Sequence, residues 1–217
     1  MKDIAIFGAG GLGREILLLL RQLNEVSHTW NILGFFDEIP FSGQLNGLPY
    51  LGSLTELNAY PEELHLVIGI GNCQAKSNVF SRITNPNIKY PVLVHPSVQL
   101  RNYQYYEIGE GTVIGERVVI TTNVKIGSHV QVSPACTLAH DVAVDDFCSL
   151  MYSVNLAGNV KLHDHVYLGT NSTVIQLLEV GSGTIIGAGA VVTRSLPANC
   201  TAVGVPAKII KAHEIPA

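Results

Sequence analysis

Residues 108–150 read IGEGTVIGERVVITTNVKIGSHVQVSPACTLAHDVAVDDFCSL, and an aliphatic side chain returns at every sixth position. The series continues unbroken beyond them: Ile108, Ile114, Ile120, Ile126, Val132, Leu138, Val144, Leu150, Leu156, Leu162, Leu168, Val174, Val180, Ile186 and Val192. The fourth residue after each is usually small or β-branched, as at Thr112, Val118, Val124, Val130, Cys136, Val142, Cys148, Val154, Val160, Val166, Ser172, Thr184 and Ala190. A period of six matches neither the 3.6 of a helix nor the 2 of a hairpin strand. It fits a short strand plus a corner, with three such sides making one coil of roughly eighteen residues and both repeated positions pointing into a stacked aliphatic column. About five such coils fit between Ile108 and Pro197.

The first hundred residues carry a different pattern. Residues 3–7, DIAIF, read as a buried strand ending in Gly8-Ala9-Gly10-Gly11-Leu12-Gly13, with the leucines of a helix over Arg14 to Asn24. A second strand, Ile32 to Phe36, ends at Asp37, where an acid reaches a ribose hydroxyl. Glycines suit such a loop because side chains would keep a diphosphate from the N–H groups at the helix start. Taken alone the fingerprint suggests NAD or FAD, or a plain tight turn. Only one mononucleotide-binding half fits before the repeat, which favours a nucleotide-sugar. A third strand, Leu66 to Ile70, leads into Gly71-Asn72 and is expected beside the first. Val92 to Ser97 reads as a last strand, so the expected division is residues 1–97 and 98–217. No disorder is expected apart from a few C-terminal residues.

Composition removes other classes. The chain has 217 residues, 47% of them hydrophobic, with 14% charged residues, a net charge of −4 and no basic run, so nucleic acid and anionic membranes are not expected partners. Cys73, Cys136, Cys148 and Cys200 form no CxxC pair, which points to neither zinc nor a disulfide framework. The apolar run at the start is too short for a signal segment, and a cytoplasmic protein is expected.

In chain order, GAGGLGRE (8–15), GFFDE (34–38), IGIGN (68–72), VHPS (94–97), LAHD (138–141), LAGNV (156–160) and VGVPAK (203–208) lie on this framework. Together they resemble, over essentially the whole chain, the bacterial hexapeptide-repeat sugar O- and N-acetyltransferases of the sialic acid O-acetyltransferase and bacillosamine-pathway N-acetyltransferase type. The resemblance implies an α/β Rossmann-like domain followed by a left-handed parallel β-helix; the handedness comes from it alone. It also implies a homotrimer, acetyl-CoA as co-substrate, no metal, and a nucleotide-activated sugar as acceptor.

On this resemblance His140 is the general base. Attack on a thioester requires the acceptor amine or hydroxyl to lose a proton, and imidazole is the side chain suited to take it at neutral pH. Asp141 holds the ring's tautomer and stabilises the imidazolium. The backbone N–H of Gly158, one coil beyond His140, meets the thioester carbonyl, and a side chain at Gly158 is expected to impair CoA binding alone. Gly169, Thr170, Gly187, Ala188 and the segment through Lys208 receive the rest of CoA, with Lys208 facing its phosphates. Gly8, Gly10, Gly11, Gly13, Asp37, Gly71 and Asn72 receive the nucleotide-sugar.

The chain departs from the family in two places, with Ser149 and Leu12 where relatives often have histidine. His163 and His165 alternate as a chelating pair would, but no third ligand accompanies them. Two alternatives stay open: acetylation of a free sugar such as sialic acid, and a catalytically silent scaffold.

Overall fold

The computed structural model describes residues 1–213; the C-terminal residues expected to be disordered lie outside that range. The chain divides into two compact units, Met1–Pro91 and Val92–Ala217.

The first unit is a six-stranded sheet. Its strands are β1 (Lys2–Phe7), β2 (Trp30–Phe36), β3 (Gln44–Leu45), β4 (Leu48–Gly52), β5 (Leu64–Ile68) and β6 (Ile88–Lys89), in the order β3-β4-β2-β1-β5-β6. All pairs are parallel except the β3–β4 hairpin. In β1, Ile4 to Phe7 are all buried, as a central strand covered on both faces requires. Helix α1 (Gly11–Val26) buries Ile16, Leu17, Leu19 and Leu20 along one face. It begins three residues before the expected Arg14, because the last glycines of the loop form its first turn. The third long strand, β5, ends at Ile68 rather than Ile70. A Cβ on Gly69 would lie 2.7 Å from the Gly13 Cα, so the chain turns where it meets the start of α1. With β2 and β5 flanking β1, the crevice lies beyond the carboxyl ends of these strands at the switch in strand order.

The second unit is a left-handed parallel β-helix. Its three faces are ladders of two-residue strands, named here by one member each. The Thr137 face stacks Val119–Ile120, Thr137–Leu138, Asn155–Leu156, Thr173–Val174 and Val191–Val192. The Lys125 face runs from Glu107–Ile108 to Glu179–Val180, and the Gln131 face runs from Leu93–Val94 to a closing hairpin of Cys200–Val203 with Lys208–Ala212. Between Glu107 and Val192 the strands pair with residues eighteen positions away. From Ile114 to Val192 each sixth-position aliphatic is at most 4% exposed, and Ile108 alone is partly buried.

Leu93 and His95 donate backbone hydrogen bonds to the carbonyls of Thr112 and Ile114, at 3.0 and 2.9 Å. The strand expected to close the N-terminal sheet therefore caps the β-helix, and the units part at Pro91/Val92 rather than near Ser97. Cys73, Cys136, Cys148 and Cys200 are all buried, and no disulfide joins them. Burial pushes the Cys136 thiol up to about 12.

The corners impose a requirement that the aliphatic period does not reveal. From Ile108 to Ile186 the third residue after each inward aliphatic has positive φ, including Arg117 (55°), Asn123 (57°), His129 (55°), Asp141 (61°), Asn159 (57°) and His165 (61°). Asn, Asp, His and Gly tolerate this conformation best, which accounts for their recurrence there.

Candidate active site

His140 and Asp141 occupy one corner, directly after the strand Thr137–Leu138. His140 Nδ1 lies 2.8 Å from Asp141 Oδ2. Asn123 Nδ2 donates to the other carboxylate oxygen at 3.1 Å. These two bonds, His140's first, hold the Asp141 carboxyl below the usual carboxylate range. Both members of the pair are solvent-accessible, with side chains 58% and 43% exposed. Nε2 of His140 has no protein hydrogen bond among the described residues.

Gly158 lies one coil on, and Asn159 N donates to the His140 carbonyl at 3.0 Å. A Cβ at Gly158 would stand 2.4 Å from His140 Cε1 and 2.5 Å from Nε2. The imidazole therefore lies against the glycine, and the missing side chain makes room for the ring. The Gly158 N–H has no protein partner among the described residues, so the donor assigned from sequence is available.

The other candidate CoA contacts fall on a different edge. Gly158 and His140 line the corner between the Thr137 and Lys125 faces, whereas Gly169, Thr170, Gly187 and Ala188 line the corner between the Gln131 and Thr137 faces. Gly169 is tightly stacked, since its Cβ would lie 2.6 Å from Ala188 N. Thr170 and Ala188 are exposed. Exposed Lys208 pairs with Val203, whose side chain crowds Gly187.

In the first unit Asp37 is a loop lock. Its Oδ2 accepts from Ala9 N at 2.7 Å and its Oδ1 from Ile39 N at 2.9 Å. A cleft of about 450 Å³ opens beside it, lined by Ala9, Gly10, Asp37, Ile39, Phe41 and Gln44 among others. The glycines divide by role. A Cβ on Gly13 would stand 1.8 Å from the Gly8 carbonyl oxygen, so this pair sets the packing of α1 on β1, while Gly10 and Gly11 border open space. Helix α1 has no side-chain cap, which leaves its first N–H groups for a ligand. Asn72 caps the helix Cys73–Arg82 by accepting from Ala75 N at 2.9 Å. Asn72 and Gly71 do not line the cleft.

The chain is 30% identical to GDP-perosamine N-acetyltransferase of Escherichia coli O157:H7, covering 97% of each chain. It belongs to the hexapeptide-repeat sugar N-acetyltransferases. Residues 3–83 match the PglD N-terminal domain family. Among solved structures, a His-to-Asn variant of perosamine N-acetyltransferase from Caulobacter crescentus, in complex with CoA and GDP-perosamine, superposes with a TM-score of 0.87 at 26% identity, covering 97% of this chain and 98% of the other. The acetyltransferase domain of PglB from Neisseria gonorrhoeae FA1090 superposes with a TM-score of 0.82 at 27% identity, covering 97% and 100%.

Two features of the enzyme bear on its departures from the family. Ser149, where relatives often have histidine, is fully buried, so its hydroxyl offers no exposed replacement contact. Leu12 sits partly buried in the first turn of α1. His163 lies between Asp145 (3.5 Å) and Glu179 (3.1 Å), and His165 stacks on Phe147 with ring centroids 5.3 Å apart; the one sits between two acidic side chains and the other in a corner stack. The sequence reading missed Asn123, whose eighteen-residue spacing from Asp141 was the available signal. It also missed Phe41 and Ile39, which lie in irregular chain with no period to mark them.

Proposed function

We propose that this enzyme transfers the acetyl group of acetyl-CoA to the amine of a nucleotide-linked amino sugar, with His140 as general base and no covalent acyl-enzyme. One observation carries the reading: an imidazole hydrogen-bonded to a carboxylate and seated against Gly158, in a chain that aligns end to end with a GDP-perosamine N-acetyltransferase. His140 Nε2 accepts a proton from the acceptor amine as its nitrogen attacks the thioester carbonyl. The new C–N bond forms, the Gly158 N–H stabilises the oxyanion, the C–S bond breaks, and the imidazolium returns its proton to the departing CoA sulfur. Asp141 favours the Nδ1–H tautomer and offsets the imidazolium charge. Lys208 supplies a cation for the CoA phosphates. Acetylation of a free sugar and a silent scaffold gain no support from these relatives.

The test is acetyl-CoA consumption with GDP-perosamine, UDP- and dTDP-linked 4-amino sugars, and free sialic acid. Turnover with a nucleotide-linked amine is expected, and turnover with the free sugar alone would overturn the reading.

The nucleotide is assigned to the Asp37 cleft. Asp37→Ala removes an acceptor and unlocks the glycine loop, so calorimetry should show nucleotide-sugar binding weakened by about 1–3 kcal/mol with acetyl-CoA binding unchanged. Equal affinities would place the nucleotide elsewhere.

The division of candidate CoA contacts between two edges of the Thr137 face supports a site completed by a second copy packed on that face. Three flat faces and cyclic closure favour a homotrimer. Light scattering should give about three times the 23.3 kDa chain mass; a monomer at micromolar concentration would contradict this.

A further inference from the structure

The geometry points to Asn123 as a positioning residue that acts on His140 through the Asp141 carboxylate, an inference that rests on His140 being the base. Asn123 is the corner residue one coil before Asp141, and both have the left-handed backbone of the corner. A carboxylate has no proton to give at neutral pH, so the Asn123 atom facing it at 3.1 Å is the amide nitrogen. With Oδ2 bound to His140 at 2.8 Å and Oδ1 bound to Asn123, rotation of the carboxylate about its Cβ–Cγ bond is blocked from both sides. The imidazole is thereby held with Nδ1–H toward Asp141 and Nε2 available to accept a proton.

Asn123 is itself anchored. Its N–H donates to the Gln104 carbonyl at 2.8 Å, and Gln104 Nε2 donates to the carbonyls of Ile120 and Thr121 at 2.7 and 3.2 Å. The support thus runs from the turn at Asn102–Gln104 through Asn123 and Asp141 to the ring. Besides Asp141, the corner line contains Tyr105, Asn123, Asn159 and Leu177, and the line of His140 contains Gln104, Thr122, Gly158 and Gln176. The other titratable groups along this edge are Tyr105, which stands beyond Asn123 from the pair, and Arg194, three coils past His140 in the corner after Val192.

A structural role alone would be to fill a left-handed corner, which glycine fills equally well. Asn123→Gly therefore keeps the backbone and removes only the amide. It is expected to lower kcat roughly 3- to 10-fold, the worth of one net hydrogen bond, with both KM values and Tm held. Asn123→Asp sets a second carboxylate against Asp141 and the imidazole, disfavours loss of the imidazolium proton, and moves the acid limb of the kcat/KM profile to higher pH. If Asn123→Gly keeps wild-type kcat, or Asn123→Asp leaves the acid limb in place, the positioning role is wrong. His140→Ala separates the two readings. Wild-type turnover in that variant removes the base assignment and this inference with it, whereas loss of turnover there beside an unaffected Asn123→Gly removes only the inference.

Discussion

Replacing His140 with alanine is expected to lower kcat by roughly 10²- to 10⁴-fold, the usual contribution of a positioned base, with little change in acetyl-CoA affinity. The ring stands at an exposed corner, so its removal leaves no cavity in the aliphatic column and Tm should hold. The split between kcat and affinity is the informative result, because it separates lost proton transfer from lost binding. Asp141→Asn should cost less. Its amide oxygen still accepts from Nδ1–H and asparagine tolerates the corner conformation, but its nitrogen cannot accept from Asn123 as the carboxylate oxygen does, and the charge that offsets the imidazolium is gone. Steady-state kinetics with the true acceptor and calorimetry with acetyl-CoA check both variants. Wild-type turnover in both would place the base elsewhere.

Gly158→Val should be nearly as damaging, for a reason that differs from the sequence expectation. The family resemblance implies that a side chain at Gly158 impairs CoA binding only. In the structure the first added carbon would stand 2.4 Å from His140 Cε1, well inside contact distance, so the ring must swing away. Swinging it breaks the 2.8 Å bond to Asp141 or moves Nε2 from its place. Displacing a reacting group by about 1 Å costs on the order of 10²-fold. Loss of kcat should therefore accompany any loss of CoA affinity. Gly158 lies outside the left-handed region, so backbone strain does not supply the effect. Gly158→Ala separates the two causes, since a single methyl meets the ring before it fills the thioester path. A fall in kcat with acetyl-CoA affinity intact is expected there, and wild-type kcat would mean that the ring does not need the glycine.

The β-helix was legible in the sequence because its cause is local and periodic. Two residues in each six must enter the column, and a slip of one position would place polar groups among aliphatic ones. The strand, glycine loop and helix at the N-terminus were legible for a similar reason, since the loop glycines and the apolar strand are adjacent in the chain. The His140–Asp141 pair was found from a short motif, and the link to Gly158 from the eighteen-residue period.

What remained hidden depends on which atoms meet once the coils stack. The period states that Gly158 follows His140 by one coil, but only the tertiary structure shows the ring lying on the glycine. It likewise reveals that Asn123 reaches the far oxygen of Asp141 and that Asp37 spends both carboxylate oxygens on loop N–H groups. The end of β5 and the unit boundary belong to the same class. The first follows from the contact of Gly69 with Gly13, and the second from carbonyls at Thr112 and Ile114 that capture Leu93 and His95. By itself the sequence determined the repeating framework and the residue types capable of the chemistry, because hydrophobic period and backbone tolerance act within a few residues. The tertiary structure decided which of those residues hold one another in place, because hydrogen bonds and close contacts between coils join positions that only folding brings together.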